Sequence, residues 1–370
     1  MSEPITYAGA GVDVEAGDKA VELMKYSIRR AQRPEVLGGL GGFAGLFDAS
    51  RLTRMRRPVL ATSTDGVGTK VAIAQTLDQH DTIGYDLVGM VVDDLVVCGA
   101  EPLYLTDYIA TGKVVPERIA EIVSGIAAAC EETSTALIGG ETAEHPGLLA
   151  PGEYDLAGAA TGVVEYEALL GPHRVTPGDI VVALASSGLH SNGYSLVRRV
   201  IDHAGWSLDR HVDEFGRTLG EELLEPTRLY AGPILDLVRR PDLEVHALSH
   251  VTGGGIAANL ARVLPKHALA TLHRETWTPP PVFSTVQRLG RVPRDDLERT
   301  LNLGVGFLVI LPADNGDRAV ELTRDNGIPA WVIGEVTQDD DHPRQDTERV
   351  SGAKGVDGGA VQVLGEHPEP

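Results

Sequence analysis

Only two cysteines, Cys98 and Cys130, occur in 370 residues, which excludes a disulfide framework or a multi-cysteine zinc centre and fits a reducing compartment. Basic residues are scarce. The 32 Lys and Arg against 53 Asp and Glu leave a formal charge of −21, the opposite of what a nonspecific nucleic-acid binder needs. Six of the basic residues are Lys and 26 are Arg, a bias that codon composition or a salty cytoplasm would each produce. No run of about 18 apolar residues exists to form a membrane-spanning helix. The opening Met1-Ser2-Glu3-Pro4 lacks a basic stretch followed by an apolar core, so no secretory leader is expected. What remains is 42% hydrophobic and 23% charged, an ordinary globular balance. At roughly 100–200 residues per domain the length predicts two domains. The expectation is a soluble, acidic, cytoplasmic protein.

The 43 glycines cluster at particular turns. Val21, Met24, Ile28 and Ala31 share a helical spacing, which predicts a helix over Asp13 to Ala31. The run Gly38 to Gly45 is too glycine-rich for a stable helix and reads as a mobile loop. Strands are predicted at Val59–Thr64, Leu103–Ile109, Ala136–Ile138 and Leu156–Val164, with helices at Asp86–Val97 and Pro116–Glu131. Breakers crowd Gly171 to Gly178 and mark a domain boundary. Beyond them, strands at Ile180–Ala185, Val245–Leu248, Val305–Leu311 and Ala330–Val336 alternate with helices near Tyr194–His203, Thr227–Val238, Gly255–Leu264 and Asp314–Asn326. From Gln338 to about Gly359 the chain is acidic and poor in large apolar residues, so this tail is expected to be mostly flexible, with an edge strand at Ala360–Leu364.

Several of these turns carry residues suited to chemistry. Gly39-x-Gly41-x-x-Ala44 fits the dinucleotide pattern in form, but no hydrophobic strand precedes it and Pro34 stands close upstream, so that context is missing. Its glycines still offer unobstructed backbone N–H groups that could close over a polyphosphate, and a flexible surface linker is the other reading. Asp65-Gly66-Val67-Gly68-Thr69-Lys70 sets a carboxylate, a hydroxyl and an ammonium around two glycines at a strand end. A nucleotide with its magnesium needs such groups, although a glycine-rich hairpin would look similar. Asp93 and Asp94 interrupt an apolar helix, where a carboxylate is costly unless neutralised. Asp94 is assigned the inward position and Asp93 is left open.

Gly139-Gly140-Glu141-Thr142-Ala143-Glu144-His145-Pro146-Gly147 follows a strand and suits a site loop, with Glu144 and His145 fitting a solvent role better than Glu141. Ser186 to Tyr194, reading Ser-Ser-Gly-Leu-His-Ser-Asn-Gly-Tyr, joins a strand to a helix as a phosphate cradle or a simple helix cap. In His246 to Gly255, His250 and Thr252 could face a ligand while His246 is buried in the strand. Asn302-Leu303-Gly304-Val305-Gly306-Phe307 is a tight strand entry, either a bulge or a ligand contact.

Taken in order from about Tyr7 to Val336, these motifs resemble the phosphoribosylformylglycinamidine cyclo-ligase (aminoimidazole ribonucleotide synthetase) family. Asp93, His145 and Leu303 depart from the residues familiar there, Asn, Met and Cys. The resemblance implies an α/β protein with mixed α+β sheets. Residues 1–172 would be an ATP-binding and dimerisation domain, 173–337 a C-terminal α/β domain, and 338–370 the acidic tail. The N-terminal domains of a homodimer would build a shared β-barrel. The implied reaction closes formylglycinamidine ribonucleotide into 5-aminoimidazole ribonucleotide while ATP becomes ADP and phosphate, with Mg2+ required. ATP would be held by Gly38, Gly39, Gly41, Gly42, Asp65, Gly68, Thr69, Lys70, Asp94, Asp107, Gly139, Gly140 and Glu141, and the metal by Asp65, Asp94 and Glu141. Lys70 and His250 would be catalytic, and Ser187, His190, Asn192 and Thr252 would bind the substrate. Other enzymes of this superfamily fit less well. A selenophosphate synthetase needs a reactive Cys near the glycine loop, a hydrogenase-maturation dehydratase a Cys-bearing tail, and a thiamine-phosphate kinase lacks the Ser-Ser-Gly-x-His-Ser-Asn-Gly stretch. A formylglycinamidine ribonucleotide synthetase carries a longer duplicated core, and a catalytically inactive homologue would not need Asp65 and Asp94.

Overall fold

Asp13 accepts a hydrogen bond from the Ala16 N–H at 3.0 Å and starts helix α1 (Val14–Arg30), whose buried side is Ala20, Met24 and Ile28. The computed structural model describes Gly11 and residues 13–39, 42–339, 349–352 and 355–368. The chain divides into two units, one of residues up to Leu95 with Glu101–Tyr166, the other of Val96–Ala100 with everything from Glu167 onward.

In the first unit, a short ribbon of β1 (Val36–Leu37) and β2 (Leu46–Phe47) brackets the glycine-rich loop. Then follow β3 (Pro58–Gly66), α2 (Val71–Leu77), α3 (Ile83–Val96), β4 (Glu101–Thr111), α4 (Pro116–Glu132), β5 (Ala136–Glu144) and β6 (Tyr154–Glu165). The four long strands form one sheet in the order β3-β6-β4-β5. Only β4 and β5 run parallel, as the crossover helix α4 between them requires. Proline opens α4, where its missing N–H costs nothing.

The second unit contains β7 (Asp179–Ala185), α5 (Tyr194–Ala204), the ribbon β8 (His211–Val212) and β9 (Arg217–Thr218), α6 (Leu219–Leu223), α7 (Ala231–Val238) and β10 (Ala247–His250). It continues through α8 (Gly255–Ala261), β11 (Ala268–His273), α9 (Pro281–Gly290), α10 (Arg294–Thr300), β12 (Val305–Pro312), α11 (Gly316–Asp325), β13 (Ala330–Gln338), β14 (Arg349–Ser351) and β15 (Ala360–Leu364). Seven strands make its sheet, ordered β10-β12-β7-β13-β11-β15-β14. Its centre is apolar throughout: Val181 to Leu184 and Val305 to Leu311 are almost fully buried. The mixed α/β character matches expectation. Among the described residues no helix is long and apolar enough to cross a membrane.

Three expectations change. Ala360–Leu364 does not form an edge: β15 lies between β11, with which it runs parallel, and β14, which takes the edge. Ala360 and Val361 are buried, and Gln362 donates to Thr271 Oγ1 at 2.8 Å. His367 lies edge-on to Trp277 at 4.4 Å. The strand was expected from the sequence, but the acidic surroundings gave no sign that it would be interior, with Val361 in the core. Next, β5 continues through Gly139–Glu144, where a loop was expected, because parallel pairing with β4 supplies the hydrogen bonds that local propensity does not. Finally α9, α10 and β11 were not anticipated. A run of three prolines, Pro279 to Pro281, cannot sit inside a helix, but Pro281 opens α9, where its missing N–H is tolerated.

Candidate functional site

A cavity of about 580 Å3 in the first unit gathers much of the expected nucleotide machinery. Its walls include Gly39 and Gly42 of the glycine loop, Asp107 of β4, and Gly139, Gly140 and Glu141 of β5. The parallel register pairs Thr106 with Gly139, Asp107 with Gly140 and Tyr108 with Glu141, which brings these stretches together from 33 residues apart in sequence. Gly38 is exposed beside the loop, and Gly41 lies outside the described residues. Sequence reasoning missed the contribution of α1, whose Gly17, Ala20, Val21, Met24 and Ile28 supply an apolar side.

Asp107 is the electrostatic centre of this cavity. Burial pushes its carboxyl up to about 7, with its own backbone N–H pulling weakly the other way. The carboxylate lies on Gly140: a Cβ there would fall 2.0 Å from Asp107 Oδ1, so a larger residue would have to displace the carboxylate. Behind it, burial and the neighbouring Asp107 charge push the Cys130 thiol upward. This thiol is a core group, not a nucleophile. The carboxyl row extends further across the sheet, because Gly158 of β6 pairs with Asp107 on one side and with Asp65 of β3 on the other.

Asp65, Gly68 and Thr69 are exposed, with Gly68 at φ +73°, a conformation that favours glycine. Lys70 is not presented to the surface. Its ammonium is fully buried against Asp86 Oδ1 at 2.7 Å, an ion pair between the turn before α2 and helix α3 that the sequence gave no reason to expect. The Asp93–Asp94 assignment reverses. Asp93 is fully buried and Asp94 exposed, because α3 is enclosed along nearly its whole length and Asp94 occupies its one open stripe. Glu141 is exposed at the cavity wall, while Glu144 is occupied in accepting the backbone N–H groups of Asp13 and Val114 at 2.6 Å each. Among the described residues no three His, Cys, Asp or Glu side chains converge into a metal-holding group. Exposed hard-oxygen donors such as Asp65 and Asp94 fit magnesium nonetheless. Magnesium keeps waters and phosphate oxygens and takes only one or two carboxylates from a protein.

In the second unit three expected motifs meet at one end of the sheet. β7 and β10 both pair antiparallel with β12, so the ends of β7 and β10 flank the start of β12. Ser186 N–H donates to Gly304 O at 2.9 Å and Val251 N–H to Gly306 O at 3.0 Å, joining the three loops. Asn302, whose role sequence reasoning left open, is the latch: its Nδ2 donates to Gly188 O at 2.9 Å and its Oδ1 accepts from Ser186 Oγ and Gly304 N–H. His190 is buried in a left-handed conformation (φ +61°), and its Nε2 accepts the Ser187 N–H at 3.2 Å. A nitrogen accepting a backbone N–H carries no proton, so His190 shapes the turn instead of adding charge to it. Ser187 Oγ donates to Pro226 O at 2.6 Å, and Thr252 Oγ1 to Asn259 Oδ1 at 3.2 Å. Asn192 is half-buried next to Gly253, where a Cβ would come within 3.2 Å of its Oδ1. His250 is buried and stacked on Phe307 at 5.9 Å. His246 is likewise buried, just before β10, with Nδ1 2.7 Å from Asp179. Tyr230 carried no signal in the sequence, yet a Cβ on Gly306 of the expected strand entry would lie 1.9 Å from the Tyr230 hydroxyl and 2.7 Å from His190 Cε1.

Comparison with known proteins bears on both units. Residues 48–164 match the family described as AIR synthase related protein, N-terminal domain, and residues 176–345 its C-terminal domain. A phosphoribosylformylglycinamidine cyclo-ligase of Carboxydothermus hydrogenoformans is 45% identical over 90% of this chain and 97% of its own length. One from an Anaeromyxobacter species is 50% identical over 90% of this chain and 96% of its own. Among solved structures, a thiamine-monophosphate kinase from Stenotrophomonas maltophilia aligns at TM-score 0.64 and 20% identity, covering 94% of this chain and 97% of that one. The hydrogenase maturation protein HypE in complex with ATP aligns at TM-score 0.62 and 19% identity, covering 97% of each. These two show a shared fold. The chain belongs to the AIR synthase related family and, within it, to the phosphoribosylformylglycinamidine cyclo-ligases.

Proposed function

We propose that the protein closes formylglycinamidine ribonucleotide into 5-aminoimidazole ribonucleotide, with ATP converted to ADP and phosphate. The observation that carries this reading is the first-unit cavity, where the glycine loop, Asp107 and Gly139–Glu141 meet in a chain 44–50% identical to cyclo-ligases. An amide oxygen is a poor leaving group. Transfer of the γ-phosphoryl group to it gives an iminophosphate and ADP, and attack by the amidine nitrogen on that carbon closes the ring and expels phosphate. A proton is lost from the attacking nitrogen. The protein's part is positioning and charge neutralisation.

Gly38, Gly39, Gly41 and Gly42 would close over the polyphosphate, with Gly68 and Thr69 donating from the turn after β3 and Gly139 and Gly140 leaving room for the nucleotide. Asp65 and Asp94, with Glu141 at the cavity wall, would hold magnesium, which supplies Lewis-acid neutralisation of phosphate charge when bound. Lys70, fixed by Asp86, sets the turn that carries Thr69. In the second unit the Ser187–Asn192 turn and Thr252 would receive the substrate's ribose phosphate, and His250 is the candidate proton carrier. A homodimer is supported by β3, a nine-residue strand at the sheet edge with Leu60 61% exposed, which offers unpaired backbone groups to a second copy. The test is incubation with ATP, magnesium and formylglycinamidine ribonucleotide, followed by mass analysis. A product lighter than the substrate by one water, formed in step with ADP, is expected. ADP release without that product would overturn the reading.

A further inference from the structure

Asn302 and Gly304, which latch the Ser186–Gly193 turn, are themselves held from outside the motifs. Leu303 sits between them in a left-handed conformation (φ +50°), which a leucine adopts only where its surroundings impose it. Its carbonyl accepts the Trp277 indole N–H at 3.0 Å, and both residues are buried. Next to it Gly304, at φ +91°, lies against Pro280: a Cβ there would fall 2.6 Å from the proline Cδ. Trp277 and Pro280 therefore fix the backbone from which Asn302 reaches Gly188 O and Ser186 Oγ.

Trp277 is fixed in turn by residues beyond 345, where the family match ends. The His367 ring lies edge-on to the indole, with centroids 4.4 Å apart. Its Nδ1 is 3.1 Å from Arg274 O and 3.2 Å from Trp277 O. Carbonyls only accept, so Nδ1 carries the proton and donates to both. Nε2 is buried with no hydrogen-bond partner among the described residues, so the two carbonyls and the indole place the ring. Arg274 Nη1 donates to Val363 O at 2.8 Å and to Gly365 O at 3.2 Å, which ties the same stretch to the end of β15.

We propose that Trp277, held in place by His367, is a positioning residue for the Ser186–Gly193 turn and so for substrate affinity. This rests on the proposed assignment of that turn to the substrate's phosphate. Neither ring touches the turn. The indole acts through the Leu303 carbonyl, and the imidazole acts through the indole.

Steady-state kinetics and hydrogen exchange of full-length Trp277→Phe and His367→Ala test this. Phenylalanine keeps a ring but removes the N–H donor. In Trp277→Phe the KM for formylglycinamidine ribonucleotide should rise at least about fivefold, while kcat and the KM for ATP stay within about twofold of wild type. His367→Ala should move the same KM in the same direction. Exchange of the Ser186–Gly193 amides should quicken at least about tenfold in Trp277→Phe, with a smaller change of the same sign in His367→Ala, and Val181–Leu184 of β7 should keep wild-type protection. A merely structural loss would loosen both stretches alike. If Trp277→Phe fails to fold, His367→Ala decides, since that ring is only half-buried. An unchanged KM, unchanged exchange of the turn, or equal loss of protection in β7 of His367→Ala would each overturn the proposal. Wild-type protein that leaves formylglycinamidine ribonucleotide unconverted would overturn the function reading and the effect on affinity with it. The exchange measurement needs no substrate and decides by itself whether Trp277 braces the turn.

Discussion

Asp107 holds a proton up to about pH 7 in the folded protein, whereas in the unfolded chain it ionises near its ordinary value of about 3.9. Between those values the folded state binds the extra proton, so this group's contribution to stability declines as pH rises through the window and its full penalty is present above it. Asp107→Asn should therefore gain in thermal midpoint relative to wild type on going from about pH 5 to about pH 8. A difference that stays flat across this range would count against burial of the charge. Asp65 and Asp94 are exposed, so Asp65→Asn and Asp94→Asn should leave the fold intact while slowing turnover by about 2–4 kcal/mol of barrier each. Near-normal kcat at saturating magnesium in both would remove them from the site. Lys70 and Asp86 behave differently, because both are fully buried. Asp86→Ala should cost about 3–5 kcal/mol in denaturant unfolding by removing a buried carboxylate 2.7 Å from the Lys70 ammonium. Adding Lys70→Met should restore part of that loss, a coupling that a double-mutant cycle measures.

At the scale of elements, pairing of strands assembles each candidate site. Asp107 meets Gly140 only because β4 and β5 are parallel and in that register, and Gly140→Ala would drive a methyl group into the carboxylate. We expect it to weaken ATP binding by at least about tenfold while the substrate's affinity changes little, read by calorimetry of each ligand. His190→Ala should do the reverse. Its ring holds the Ser187 N–H within the turn that joins β7 to α5, so its loss should weaken substrate binding about ten- to a hundred-fold and spare ATP. Weaker ATP binding with unchanged substrate affinity would move His190 to the nucleotide. The glycine loop itself was legible, since no helix tolerates that composition. That α1 lines the same cavity was not, because its Met24 and Ile28 look like any buried helix stripe.

For the whole molecule, the C-terminal segment sets the sharpest test. An acidic, flexible tail predicts that removal of residues 349–370 changes little. The sheet predicts otherwise. Deletion strips β15 from β11, exposes the surface covered by Ala360 and Val361, and removes the Arg294–Glu366 pair and the edge-on contact of His367 with Trp277. A fall in thermal midpoint of at least about 5 °C is expected, with Val361→Asp giving a fall of the same sign. An unchanged melting curve would mean the segment does not dock.

The sequence by itself determined the mixed α/β class, most strand and helix positions, the family and the stretches that could touch phosphate. Those follow from local causes: hydrophobic period, proline and glycine at element ends, and an ordered series of motifs. Three things depended on distant chain segments. Asp93 and Asp94 are adjacent and chemically identical, so only the packing around α3 could decide which is buried. Lys70 found Asp86 across a helix, and Asn302 found Gly188 across more than a hundred residues, by contacts that no local pattern encodes. Strand Ala360–Leu364 became interior because β11 had an open edge for it, and an available edge is a property of the folded sheet.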